Sequence, residues 1–242
     1  MIVLSVGMPR AGSGWHYNLI HALMRTKGCR DAQDIRRQYH LETILTEVNC
    51  NIGVLSLRRL GMVLIPAMLG NTFVIKAHSA PTPWARLLIH SKLLIVTYIY
   101  RDPRDAMLSA YEYGQRAIAK GRPNAFSHLS DFEKTLAFML EYVRIWEAWM
   151  MSKDILHARY EDLLTGYDIE VERLSSFLKL DPMNRDVKAV IDQYRPGKAG
   201  GQQGLHFFKG KIGRFRQKYS VEEQAILNEH FGPYLDHMGY EY

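Results

Sequence analysis

Four short runs of apolar residues recur along the chain, at residues 2–6, 72–78 and 93–100 and within DILHARYEDLL at 154–164. Their apolar character is nearly continuous and rich in β-branched and aromatic residues, a pattern that predicts strands buried on both faces. The fourth run is expected to change from strand to helix near Glu161. Strands of this kind belong to parallel sheets covered by helices, so the pattern predicts an α/β fold with a mostly parallel sheet.

The segments between these runs repeat their apolar positions every three or four residues, which is typical of amphipathic helices. One such segment, residues 15–28, ends at a glycine, and a longer one covers residues 131–151. After the third run, Asp102 and Pro103 have the residue types of a helix N-cap and of a first helical position. The last third of the chain is expected to be helical outside a stretch rich in glycine and basic residues, 195–220.

The composition predicts a single basic domain over residues 1–242. Apolar residues make up 47% of the chain, enough for one sizeable core. The 31 Lys and Arg residues against 25 Asp and Glu residues suit a polyanionic ligand, a nucleic acid or an anionic membrane surface, without choosing among them. The two cysteines, Cys29 and Cys50, are not spaced as the ligands of a metal site are. No signal peptide or membrane-spanning stretch is visible, and we therefore expect a cytoplasmic protein.

The sequence GMPRAGSGW follows the first predicted strand and has the character of an anion-binding loop. Gly7 and Gly12 have the separation of P-loop glycines, but Ser13 stands where a P-loop NTPase carries lysine and Gly14 where it carries Ser or Thr. A glycine-rich turn between strand and helix directs backbone N–H groups at an anion, and Arg10 adds positive charge. Taken alone, the loop slightly favours an ordinary strand-to-helix turn, which also tolerates glycine.

The segment RDPRDAMLS follows the third predicted strand and offers a second phosphate site. Arg101 ends the strand and Ser109 lies two turns into the next helix, so both side chains can contact one phosphate group. We interpret the neighbouring Asp102 and Asp105 as members of a solvated charge cluster that caps this helix.

Two further residues, Lys76 and His78, are two positions apart on the second predicted strand, so their side chains point to the same face. An imidazole can take a proton from an attacking hydroxyl, and a lysine can offset developing negative charge. With Arg10, Arg101 and Tyr160, His78 lies just past a predicted strand end. Ligands of parallel α/β sheets bind at those ends, so the sequence predicts that these residues converge.

A basic segment, FFKGKIGRFRQK at 207–218, interleaves five Lys and Arg residues with three phenylalanines. This composition is equally typical of a phosphate clamp and of a nucleic-acid-binding patch.

Together these motifs resemble the sulfotransferases that use 3′-phosphoadenosine 5′-phosphosulfate (PAPS). PRAGSGW takes the place of the family's Pro-Lys-Ser-Gly-Thr-Thr-Trp loop, and RDPRDAMLS matches its arginine followed eight residues later by serine. KAH, RYEDL and FKGKIGRF match three further segments, and all five stand in the family's order. The resemblance implies a P-loop-like three-layer fold and in-line transfer of a sulfuryl group, without a metal, to an acceptor hydroxyl or, less favoured, an amine. The second product would be adenosine 3′,5′-bisphosphate.

Carried over by position, the resemblance also implies roles for individual residues. The 5′-phosphosulfate would be bound by Arg10, Gly12, Ser13, Gly14 and Trp15. The 3′-phosphate would be held by Arg101 and Ser109 with Lys209 and Gly210 closing over it, and the adenine would lie near Trp15 and Tyr160. His78 would be the catalytic base, and Lys76 would stabilise the sulfuryl group in flight.

Three positions depart from the family pattern. Arg10 replaces the loop lysine, and arginine is a poor proton donor because it stays protonated in proteins. Gly14 removes one of two loop hydroxyls. The late arginine of the family aligns with Phe208, for which either Lys211 or Arg214 is a possible substitute.

The acceptor is not specified by the sequence and is expected to be a small molecule, a lipid or a glycan; nucleic acid is not required, and the oligomeric state is open. Residues 39–71 could line an acceptor pocket or form ordinary helix core, and residues 111–128 could form a lid. Two other functions are open alternatives: a P-loop-like nucleotide kinase or GTPase that needs magnesium, and a non-catalytic protein that binds a nucleotide, RNA or anionic lipid.

Overall fold

A computed structural model of the protein describes residues 1–197 and 210–242. The strands are β1 (Ile2–Gly7), β2 (Phe73–Ala77), β3 (Leu94–Tyr100) and β4 (Leu156–Arg159). The helices are α1 (Ser13–Thr26), α2 (Ala32–Gln38), α3 (Leu57–Met68), α4 (Pro83–His90), α5 (Pro103–Ala119), α6 (Phe132–Met150), α7 (Tyr160–Thr165), α8 (Tyr167–Phe177), α9 (Arg185–Tyr194), α10 (Phe215–Lys218) and α11 (Val221–Met238).

The four strands form one parallel sheet in the order β2-β1-β3-β4. In the centre, β1 pairs with both neighbours, so that Val3 lies opposite Val74 on one side and Ile95 on the other. Because all pairings are parallel, the carboxyl ends of the strands lie at one edge of the sheet. The predicted α/β fold with a parallel sheet is confirmed, and the strand-to-helix change in the fourth run occurs at Tyr160, close to the expected position.

Alternate residues of the strands feed two separate cores, one on each side of the sheet. Ile2, Leu4 and Val6 of β1 pack in a cluster with buried residues of α3, α4, α6 and α11. On the opposite face, Val3 packs in a second cluster with residues of α1, α8 and α9. The molecule therefore has the three-layer arrangement that the resemblance implied, with helices covering both faces of the sheet.

The start of α5 corrects one expectation. Asp102 does cap the helix, since its carboxylate accepts from the backbone N–H of Arg104 at 2.9 Å. However, the acidic and basic residues there are buried rather than solvated: Arg104 and Asp105 are each 1% exposed. Burial is tolerated because these charges are paired, and the Arg104 guanidinium donates from Nε and Nη2 to the two Asp102 carboxylate oxygens at 3.0 and 2.9 Å.

The buried Asp102–Arg104 pair gives a stability prediction. Arg104→Ala should reduce the free energy of unfolding by about 3 kcal/mol, because it leaves the Asp102 carboxylate buried without its partner. Arg37→Ala removes the exposed Arg37–Asp34 pair and should cost about 1 kcal/mol or less. Urea unfolding followed by circular dichroism measures both; equal losses in the two variants would contradict the role given to Arg104.

Candidate functional site

A cavity of about 750 Å³ opens where the carboxyl ends of the strands meet the helices. It brings together all the candidate residues that the structure describes: Arg10, Gly12, Ser13, Gly14, Trp15, Lys76, His78, Arg101, Ser109, Tyr160 and Gly210. The remaining candidate, Lys209, lies outside the described residues. The convergence predicted from the strand ends is thus observed for Arg10, His78, Arg101 and Tyr160.

The loop between β1 and α1 is shaped by close approaches that only glycine allows. Gly12 has a φ of +76°, and a Cβ atom there would lie 2.6 Å from the ring of Tyr160. A Cβ atom on Gly7 would lie 2.6 Å from the side chain of Ile99. As the N-cap of α1, Gly12 contributes no side-chain hydrogen bond, and the first turn of the helix has no acidic residue. This helix start therefore presents N–H groups and positive dipole charge to the cavity, as an anion requires.

Arg10 connects this loop to α5. Its backbone is left-handed, with a φ of +64°, and its guanidinium lies 4.3 Å from the centre of the Tyr113 ring. Its Nε also donates to the hydroxyl of Ser109 at 3.3 Å. Burial lowers the pKa of Arg10 to about 10, so the side chain keeps its positive charge at neutral pH.

Arg101 is held in the cavity wall from two directions. Its guanidinium donates to the Asp105 carboxylate at 3.1 Å and to the backbone carbonyl of Lys211 at 2.8 Å. It also lies 4.6 Å from the centre of the Tyr160 ring. Asp105 in turn accepts from the backbone N–H groups of Gly213 at 2.8 Å and Phe215 at 3.0 Å. This carboxylate, which the sequence pattern placed in a solvated cap, therefore joins α5 to the basic segment.

The basic segment contributes to the cavity through its described part. Gly210, Lys211 and Arg214 line the cavity, and Arg214 forms an ion pair with Glu112 of α5. Phe208, which aligns with the family arginine, lies outside the described residues. Both suggested substitutes, Lys211 and Arg214, thus face the site, and Arg214 is the one held by a carboxylate.

Lys76 and His78 lie beneath the loop at the end of β2. Burial, and then the nearby charge of Arg10, lower the pKa of Lys76 to about 8. His78 Nδ1 donates to the carbonyl of Gly7 at 2.5 Å, which places the proton on Nδ1 and leaves Nε2 able to accept one. Burial, and then the charge of Lys76, lower the pKa of His78 to about 4. His78 is therefore a neutral imidazole at pH 7, the form that a general base needs.

Most of Trp15 is engaged in internal packing. Its indole N–H donates to the carbonyl of Tyr194 at 3.0 Å, and its ring stacks on Tyr167 with centroids 6.1 Å apart. Tyr160 meets it edge-on at 6.3 Å. Trp15 therefore presents only a margin of its ring to the cavity and fixes the position of Tyr160.

The other half of the cavity has an aromatic wall, formed by Tyr113, Phe126, Phe138 and Tyr142. Its rings contact one another in sequence, at centroid distances of 5.6, 5.8 and 4.9 Å. The last two belong to α6 and were missed in the sequence, where α6 showed only an amphipathic pattern. Apolar and aromatic surface beside a few charged groups is typical of small-molecule sites.

Two segments had no assigned role in the sequence, residues 39–71 and 111–128. Part of each lines the cavity. In the first, the loop before α3 lines the cavity at residues 46–49 and 51, whereas Leu60 and Val63 of α3 are buried core. In the second, α5 continues to Ala119, and residues 124–126 line the cavity. The part of this segment after α5 packs tightly back on that helix, since a Cβ atom on Gly114 would lie 2.2 Å from the Phe126 carbonyl oxygen.

Membrane-spanning helices and metal clusters are both absent from residues 1–197 and 210–242. No helix in these ranges is long and apolar enough to cross a membrane. No group of three or more His, Cys, Asp or Glu side chains in the same described parts of the chain is arranged to hold a metal ion.

Comparison with known proteins gives a consistent match. The sulfotransferase domain model matches residues 2–239. The amine sulfotransferase of Oryctolagus cuniculus is 24% identical over 104 residues, which cover 40% of this chain and 34% of that protein. Cytosolic sulfotransferase 1 of Danio rerio is 24% identical over 153 residues, which cover 55% of this chain and 51% of that protein. The matches thus span about half or less of the length of these relatives.

Solved structures share the fold at low sequence identity. A mouse sulfotransferase complexed with PAP aligns over 97% of this chain and 84% of that chain, with a TM-score of 0.59 and 14% identity. Retinol dehydratase in complex with androsterone and inactive cofactor PAP aligns over 96% and 80%, with a TM-score of 0.60 and 16% identity.

The loop geometry gives a prediction with a matched control. Gly12→Ala should lower the free energy of unfolding by about 2 kcal/mol or more, because the new methyl group meets the Tyr160 ring at a left-handed backbone position. Gly14→Ala, two residues away, should be tolerated, since a Cβ atom there has nothing within 4 Å. Thermal unfolding without ligand compares the two variants. An equal loss from Gly14→Ala would show that the loop is constrained in some other way.

Proposed function

The chain belongs to the sulfotransferase domain family, and from this premise we propose that it is a PAPS-dependent enzyme. It would transfer the sulfuryl group of PAPS to a hydroxyl, or less favourably an amine, of a small-molecule acceptor. The observation that carries the proposal is the convergence in one cavity of a glycine-rich anion loop, the Arg101 and Ser109 pair and a neutral histidine. No single one of these features would support it alone, since each also occurs in proteins that bind no nucleotide.

The cavity residues fit a nucleotide whose ribose carries one anionic group at the 5′ position and another at the 3′ position. The uncapped start of α1 and the charge of Arg10 suit the 5′-phosphosulfate. Arg101 and the hydroxyl of Ser109 suit the 3′-phosphate, and the interaction of Arg10 Nε with Ser109 keeps the two anion sites adjacent. Lys211 and Gly210 would close over the bound nucleotide, together with Lys209.

In the reaction the protein would accept one proton and offset negative charge. PAPS supplies an activated sulfuryl group, whose bond to the bridging phosphate oxygen breaks as a bond from sulfur to the acceptor oxygen forms. His78 Nε2 takes the proton of the acceptor hydroxyl. Arg10 and Lys76 offset the negative charge that develops on the transferred group and on the leaving phosphate, so that positioning and electrostatics supply most of the rate.

The aromatic wall supports an acceptor with a flat apolar body. Tyr113, Phe126, Phe138 and Tyr142 offer a continuous ring surface, and the charge nearest to it is the Arg10 guanidinium over the Tyr113 ring. A relative bearing the name cytosolic sulfotransferase supports placing this protein in the cytoplasm.

Thermal unfolding with adenosine 3′,5′-bisphosphate tests the nucleotide site. At a hundred times its Kd, this ligand should add about 2.7 kcal/mol to the free energy of unfolding, whereas 5′-AMP at equal concentration should add much less. Ser109→Ala should weaken binding of the bisphosphate roughly tenfold, because it removes a hydrogen bond to a charged group, and should weaken the binding of 5′-AMP much less. A shift with ATP and magnesium alone would instead favour a nucleotide kinase.

The role of His78 gives a kinetic prediction. His78→Ala should lower kcat by about 10²- to 10⁴-fold while the bisphosphate still binds, and His230→Ala, at an exposed position on α11, should leave kcat unchanged. The active form is neutral His78, so its contribution is present above its pKa of about 4 and is lost as the pH falls through that value. Normal turnover by His78→Ala with the same acceptor would rule out this base.

A further inference from the structure

Exposed apolar side chains are concentrated in one part of the chain. Of the seventeen large apolar side chains exposed in the described residues, nine lie between residues 48 and 93. They are Val48, Val54, Leu57, Ile65, Met68, Leu69, Trp84, Leu87 and Leu93. Scattered apolar residues are normal on protein surfaces, whereas a concentration of this kind marks an interaction site.

The central members of this set belong to two helices that contact each other, α3 and α4. Leu57, Ile65 and Met68 are exposed on α3, and Trp84 and Leu87 are exposed on α4. Both helices bury their other faces in the same core cluster, on the same side of the sheet. Their outward faces therefore form one surface, which we call the α3–α4 surface.

The charge of this region is one-sided. From residue 48 to residue 101 the sequence contains no Asp or Glu but six Lys and Arg residues; two of these, Lys76 and Arg101, are buried in the cavity and do not belong to this surface. Arg58 and Arg86 are exposed on the two helices, and Arg86 donates to the backbone carbonyl of Ala148 rather than to a carboxylate. Lys92, just after α4, is exposed and pairs with Asp154. Exposed Trp, Leu and Met side chains beside basic residues are the composition of helices that lie on anionic lipid.

We propose that the α3–α4 surface docks on the surface of an anionic lipid bilayer. Charge complementarity favours this occupant over a second copy of the chain, because a symmetric contact would oppose the arginines of one copy to those of the other. The helices have 12 and 8 residues, so they lie in the plane of the bilayer surface rather than cross it. The loop before α3 lines the cavity through Thr46, Val48 and Asn49, so docking holds the cavity close to the lipid.

Intrinsic fluorescence reports this contact directly. Trp84 is 46% exposed, whereas the other tryptophans, Trp15, Trp146 and Trp149, are at most 5% exposed. Vesicles of phosphatidylcholine with phosphatidylserine should shift the emission of the full chain to shorter wavelength and sediment it, and vesicles of phosphatidylcholine alone should do so much less. The Trp84→Phe variant should show no emission shift but should still sediment with the anionic vesicles. Absence of any dependence on the anionic lipid would overturn the proposal.

Surface variants test whether the apolar side chains of the α3–α4 surface make this contact. Met68→Ser with Leu87→Ser should weaken vesicle partitioning by about tenfold or more, because two apolar side chains no longer enter the interface. Ile169→Ser with Met183→Ser, at exposed positions on and beyond α8, should partition as the unmodified chain does. Equal partitioning of the two double variants would overturn the proposal.

The charged residues and the second-copy alternative have their own tests. Arg58→Glu with Arg86→Glu should weaken binding to the anionic vesicles by about tenfold or more, with no loss of melting temperature to account for it.

Light scattering without lipid should give the same mass for the unmodified chain and for Met68→Ser with Leu87→Ser. A dimer that this double variant converts to a monomer would assign the surface to a second copy and overturn the lipid proposal. None of these measurements depends on turnover.

Discussion

A single buried carboxylate, that of Asp105, determines how the wall of the cavity is built. It accepts from the Arg101 guanidinium and from two backbone N–H groups, at Gly213 and Phe215. A carboxylate in this environment is stable only with such partners, because removing it from water is costly. The same three bonds fix Arg101 toward the cavity and hold the segment after residue 210 against α5. Arg101, for which we propose a role in binding the 3′-phosphate, and the segment after residue 210 are therefore positioned by one group.

The positive charge of the cavity has a consequence for the acid–base groups in it. Burial and the charge of Arg10 lower the pKa of Lys76, and burial and the charge of Lys76 lower the pKa of His78. Both pKa values are lowered, and burial together with the remaining charge of Lys76 keeps the imidazole neutral at pH 7. A bound dianion would oppose them, since negative charge favours the protonated form of every neighbouring group. Ligand binding would thus raise the pKa of His78 and make it a stronger base once the nucleotide is in place.

The backbone and the convergence of the site were predictable from the sequence, whereas the partners of individual side chains were not. Continuous apolar runs and strand-end positions predicted the sheet and the meeting of Arg101 and Tyr160, because parallel topology brings strand ends together whatever the details. Asp105 was misassigned because its two backbone partners lie 108 and 110 residues away, and no local pattern indicates them. Likewise, helical periodicity predicted α6 but not that Phe138 and Tyr142 would face the cavity.

The departures of the loop from the family pattern affect proton transfer more than charge. With a pKa of about 10, Arg10 remains protonated at neutral pH, so it supplies the charge of the missing lysine but cannot release a proton. Gly14 removes a hydroxyl, but the start of α1 still offers its backbone N–H groups, and the space beside Gly14 is open. Anion binding in this loop would therefore depend on the backbone and on Arg10, and neither changes its charge near neutral pH, where the His78 imidazole is also neutral.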